Sequence, residues 1–277
     1  MTLFGWLTRP KRKPADARLV ADTKVDRLPV PPKLLSIDAH TRAAYGRITR
    51  RDHCDCLERR TKAGSPQVPT LHADHQDAST PGWMQTLEQI RAATADRTQT
   101  FEPSAHMPWE DWMTVITLPK QVADLRSVRT IRLYGSHLQR LPPEIGRMTM
   151  LHDLDVYTSY NLHWLPYEIL RCKNLKESRM STRALYGNRN TGLPFPRLRG
   201  PMDSLTPDTC SVCDQAFGDN TPRLYWTTQR VGTDYVPLLA HSCSESCTAS
   251  VPNAPPGFFA RPHKGGGGVG MPSEMRR

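Results

Sequence analysis

The residues best suited to chemistry in this chain are two pairs of cysteines, Cys210-x2-Cys213 and Cys243-x3-Cys247. A short loop lets paired thiolates point at one ion, and two such pairs suit a single tetrahedral four-cysteine site of the structural zinc type. The sequence between them reads as its support. Arg223 to Val231 and Tyr235 to Leu239 have the pattern of two short strands, turned by Gly232-Thr233-Asp234. Ser242 to Cys247 opens a brief helix under a serine cap, and Pro252 ends it. The stretch 205–256 offers few apolar side chains for a core of its own, so bound zinc is expected to supply several kcal/mol of its folding. Four cysteines leave no open coordination position, which points to a closed, structural site and not a catalytic one. Four unliganded thiols are the plainer alternative, and His241 is a possible replacement for one of them.

The knuckle, hairpin and ligand pair at a helix start resemble a treble-clef zinc finger. Asp214 departs from that pattern, since the knuckle often carries Gly there. The other cysteines are less informative. His53-Cys54-Asp55-Cys56 is an incomplete ligand set; with Arg50, Arg51, Arg59 and Arg60 nearby it reads either as a reactive thiol site or as ordinary helix residues. Cys172 falls where a small core residue is expected.

The elements that must position these residues emerge from composition and periodicity. The net charge of +10 is concentrated in residues 1–62, which hold 15 Lys/Arg against 7 Asp/Glu, while 63–277 hold 22 against 20. Residues 1–32, basic and rich in proline, read as a disordered arm, and 33–108 as a helical flank and linker. Within that flank Trp83, Leu87 and Ile90 share one helical stripe running to about Arg97. No apolar run reaches the ~18 residues needed to cross a bilayer. No export signal is recognisable, so the thiols are expected in a reducing, cytoplasmic compartment. Residues 257–277, with His263-Lys264 before four glycines, read as a flexible tail.

From Trp109 onward the chain is periodic. Leu118-Pro119, Leu141-Pro142 and Leu165-Pro166 recur at spacings of 23 and 24 residues. The sets Val122/Ile145/Ile169, Val128/Leu151/Leu175, Ile131/Leu154/Ser178 and Leu133/Val156/Met180 keep the same phase. A period in the twenties is the mark of a solenoid. The run from Val128 to Ile145, with Leu141-Pro142-Pro143-Glu144-Ile145-Gly146, resembles the leucine-rich repeat, and Tyr157–Asn188 is similar to an uncharacterised group of bacterial leucine-rich-repeat proteins. The resemblance implies an α/β solenoid over 109–199; a helical flank precedes it, and the zinc module behind it is expected to dock on the last unit through Phe195–Leu198, because so short a block needs its open ends covered. Ser136 and Ser159 stand where the repeat carries Asn, and Ser178 stands where it carries Leu, as in a terminal capping unit.

Alternation along the repeat strands places Thr130, Arg132 and Tyr134 outward, then Asp153, Asp155 and Tyr157, then Glu177, Arg179 and Ser181. Side by side these form an Arg132–Asp155–Arg179 row and a Tyr134–Tyr157 pair. Tyr and Arg are the usual anchors of protein interfaces, so this face is the expected surface for a protein partner. Charge pairing that merely holds neighbouring strands together is the plainer reading. Non-specific nucleic-acid association through the basic arm and the zinc module is the alternative function. A third is a ubiquitin-ligase-like bacterial effector, but no Cys-x-Asp follows the repeats. No nucleophile triad, phosphate loop or paired-acid constellation marks an enzyme or a small-molecule substrate.

Overall fold

The computed structural model describes residues 69–188, 193–200, 202, 205–266 and 269. The first helix among the described residues, α1 (Pro81–Ala95), begins where the sequence supplies its own start: the Thr80 side chain accepts from the Trp83 N–H, and Pro81 occupies the first turn, where no donor is needed. Its buried residues are Gly82, Thr86, Ile90 and Ala93, one helical stripe. That stripe is rotated from the expected one, leaving Trp83 and Leu87 half-buried. Gly82 is the reason. A Cβ there would run into the backbone carbonyl of Asp111, so only glycine lets α1 approach α2 (Trp109–Trp112) on this side.

Four short strands follow in parallel: β1 (Thr100–Phe101), β2 (Thr130–Arg132), β3 (Asp153–Val156) and β5 (Glu177–Met180). The spacing of 23 and 24 residues is seen directly as register, with Ile131 opposite Leu154 and Leu154 opposite Ser178. Short 3-10 turns, such as Pro143–Arg147 and Tyr167–Arg171, return the chain between strands. Between β3 and β5 lies β4 (Leu165–Pro166), which joins a different sheet. It pairs in parallel with β7 (Asp234–Ser242), and β7 pairs antiparallel with β6 (Arg223–Val231).

The expectation of an α/β solenoid with a separate zinc module is therefore corrected. The described residues form an α/β domain of two sheets, one parallel and one mixed, with few helices. In a solenoid each unit contacts only its neighbours. Here one apolar core runs from Ile90 through Ile131, Leu154 and Ile169 to Val231, Val236 and Leu238 of the hairpin, so the segment expected to dock as a separate module completes the same core. Ser178 shows how the parallel sheet ends. Its hydroxyl lies 2.8 Å from the Val231 carbonyl and 2.7 Å from Asp234, with one proton to donate to either acceptor, and Thr233 Oγ1 donates back to the Ser178 carbonyl at 2.9 Å. A leucine would keep the bond to the backbone carbonyl but lose both hydroxyl contacts with the hairpin turn, which accounts for the serine at this position.

Phe195 and Leu198 lie in a second apolar cluster with Trp164, Tyr186 and Trp226. The Trp226 indole N–H donates to the Pro196 carbonyl at 2.9 Å, so this stretch does pack on the hairpin. Near the start of the segment read as a tail, Trp226 and His263 exchange backbone hydrogen bonds of 2.9 and 3.0 Å, which lays His263 along β6. The basic arm, its helical continuation and His53, Cys54 and Cys56 lie outside the described residues. Among the described residues, no helix is long and apolar enough to cross a membrane.

Candidate functional site

The hairpin and its flanks bring the four cysteines to one point. Cys210 and Cys213 sit on a tight loop before β6; Cys243 follows β7; Cys247 lies on α3 (Glu245–Ala249), whose cap is Ser244, accepting from the Cys247 N–H. All four Sγ atoms lie within 4.8 Å of one another. Cys213 to Cys243 is 3.7 Å and Cys243 to Cys247 is 3.5 Å, and no disulfide joins them. Four sulfurs about 2.3 Å from a central ion would stand about 3.8 Å apart, so the spacing fits tetrahedral thiolate coordination. The thiols can hold a metal ion.

The loop is built for this. The Asp214 N–H donates to the Cys210 carbonyl at 2.9 Å, and Asp214 has φ +63°, the left-handed region where glycine is usual. Aspartate tolerates that region better than most residues, and its carboxylate is used: Thr209 Oγ1 donates to it at 2.9 Å, and Arg171 pairs with it at 3.0 Å. The departure from glycine thus ties the loop to the 3-10 turn Tyr167–Arg171. Arg171 also donates to the carbonyls of Cys210 and Ser211 at 3.3 and 3.1 Å.

Electrostatics divides the thiols. Burial works against the Cys210 thiolate, but the backbone N–H groups of Cys213, Val212 and Cys243 outweigh it and bring that thiol down to about 7. Cys243, hydrogen-bonded by Cys247 and Cys213, is pushed up to about 12. A cation at the centre would release both constraints, because it favours every thiolate at once. His241 is not among the four: it is buried, its backbone N–H donates to Ser211 Oγ at 2.9 Å, and burial drives its imidazole down to about 4. Cys172 is a core residue, its thiol donating to the Ile145 carbonyl at 3.2 Å and pushed up to about 11 by burial.

The expected surface residues share the outer face of the parallel sheet. Arg132, Asp155 and Arg179 stand opposite one another in register. The charge row is divided, however: Arg179 pairs with Asp155 at 3.5 Å, while Arg132 turns to Glu102 at 3.4 Å. Tyr134 and Tyr157 are 43% and 39% exposed, with ring centroids 6.1 Å apart, and the Arg179 guanidinium lies 4.8 Å from the Tyr157 ring centre. Beneath them Ser136 and Ser159 form a buried hydroxyl ladder of 2.7 Å that continues to the Leu133 carbonyl at 3.0 Å.

One residue that organises the centre carried no sequence signal: Arg171 reads as one more surface cation. No protein-family model matches the chain, and no curated protein matches it in sequence.

Proposed function

We propose that the protein is a binding protein without enzymatic activity, in which Cys210, Cys213, Cys243 and Cys247 hold one structural Zn2+ and the outer face of the parallel sheet receives a protein partner. The zinc reading is supported by the donor set and its spacing. Thiolates suit Zn2+, and a closed four-sulfur shell has no position for substrate. Unpaired thiols of this kind belong in a reducing compartment, the cytoplasm being the plain choice.

The observation that carries the binding surface is the pair of exposed tyrosines braced by Arg179. Two large rings held in water next to each other are costly unless something covers them, and Tyr and Arg dominate interface energetics. Nucleic-acid binding through the metal module has less support: α3 is five residues long and carries Glu245 with no Lys or Arg. The test is a paired affinity purification from the native cell with wild type and a Tyr134→Ala/Tyr157→Ala variant, with metal content and melting point measured on both. A protein retained by wild type and lost from an equally stable, equally metallated variant is the expected result. Identical captured sets sink the surface, and absence of about one zinc per chain sinks the metal assignment.

A further inference from the structure

Below the 3-10 turns of the parallel sheet, and against β7, lies a cavity of about 390 Å3, towards the small end of the roughly 300–1,000 Å3 that hold small ligands. Trp83, Leu118, Leu141, Leu205 and Leu239 give it apolar walls. Its other lining residues are unusual. Glu168 is 2% exposed, and neither of its carboxylate oxygens completes a hydrogen bond among the described residues. Glu144 Oε2, Trp164 Nε1 and His241 Nε2 are equally without partners there, while Glu144 Oε1 lies 3.7 Å from Lys120 Nζ at the cavity wall. Arg140 uses Nη2 on the Asp74 carbonyl at 2.6 Å and leaves Nη1 unpaired.

Buried polar atoms without partners are few in native proteins, because each forfeits its bonds to water. Here six of them belong to residues lining one cavity. They divide into donors (Arg140 and the Trp164 indole) and carboxylate acceptors (Glu144 and Glu168), with His241 able to serve as either. A metal ion does not answer this set: the four cysteines are the only gathering of possible metal ligands among the described residues. A simple anion leaves the carboxylates unanswered, and a simple cation leaves the guanidinium and indole unanswered.

We propose that this cavity binds a small zwitterion with an apolar body, of the class of a free aliphatic or aromatic amino acid. Its ammonium group answers Glu144 and Glu168. Its carboxylate answers Arg140 and the Trp164 N–H, and its side chain lies against Trp83, Leu118 and Leu239. Burial, acting with the Glu144 charge, holds the Glu168 carboxyl above its ordinary value against the pull of the Arg171 charge, and a ligand ammonium supplies a closer counter-charge. The site is independent of the tyrosine face.

The test is titration of the full chain with L-leucine and L-phenylalanine. Each is compared with the matching amine lacking the carboxylate (isopentylamine, phenethylamine) and the matching acid lacking the ammonium (4-methylpentanoate, 3-phenylpropanoate). Binding is read from the Trp164 indole N–H resonance, assigned with Trp164→Phe, and from the melting point. Saturable binding of at least one amino acid, ten-fold or more tighter than its amine and its acid, is expected. Glu168→Gln should weaken that binding at least ten-fold while melting no lower than wild type; if it does not fold, Glu144→Gln carries the same reading. No saturable shift with either amino acid overturns the proposal. So does equal binding of a singly charged analogue, or unchanged affinity in the folded variant.

Discussion

The parallel sheet and the cysteine-bearing hairpin share a core but are held together by different physics. The sheet stacks fully buried Ile131, Leu133 and Leu154 from successive strands, so its stability comes from apolar burial along its length. The hairpin contributes Val231, Val236 and Leu238 to that core from one face. Its far end is organised by four thiols, a backbone loop and Arg171. On the zinc reading proposed above, one region is stable by composition and the other on condition that an ion is present. Because β7 also pairs with β4, the condition reaches beyond the hairpin.

The comparison breaks most directly at the metal. Cys243→Ser, or a strong chelator, should lower the melting point more than any single core truncation, since structural zinc contributes on the order of 10 kcal/mol in small modules. The loss should appear as one transition, and a sheet that melts unchanged after metal removal would show that the two regions are uncoupled. Next in size is Leu154→Ala, expected to cost about 2–5 kcal/mol with metal content unaltered, measured by chemical denaturation. Metal lost along with Leu154 would mean that the centre depends on the sheet more than the sheet depends on the centre.

Arg171→Ala sharpens the link between the regions. It removes a charged donor from two carbonyls and from Asp214, at a cost of roughly 1–3 kcal/mol, and should hasten metal release to a chelator. Unchanged release kinetics would reduce the clasp to surface decoration. The smallest effect is expected at Glu168. Its carboxyl is held above the ordinary 4.5 by burial, so its contribution to stability is complete below that value and is lost as pH rises through the raised one. Glu168→Gln stays neutral, so its advantage over wild type should be absent in acid and grow with pH. A constant difference across the range would contradict the assignment.

Much of the metal centre was legible in the sequence. Cysteine spacing is local, and the hairpin and Ser244-capped helix that orient it have local turn and cap chemistry. The register of the parallel sheet was legible too, because a fixed spacing returns equivalent residues to equivalent places. The architecture was not. Leu165-Pro166 repeats Leu141-Pro142 in sequence, yet it pairs with a strand more than 70 residues later, and periodicity carries no information about such a partner. The cavity was equally invisible, since Glu144, Glu168 and His241 come from separate segments and each alone reads as an ordinary polar residue.

By itself, then, the sequence determined which residues alternate in and out, where the strands start over, and which four thiols belong together. All of these follow from chemistry acting over a few residues or from exact repetition. Only the tertiary structure decided that two sheets close one core, that Ser178 receives the hairpin turn, and that unanswered charges meet in one cavity. Those outcomes depend on how distant segments exclude water together, which is a property of the whole packed chain.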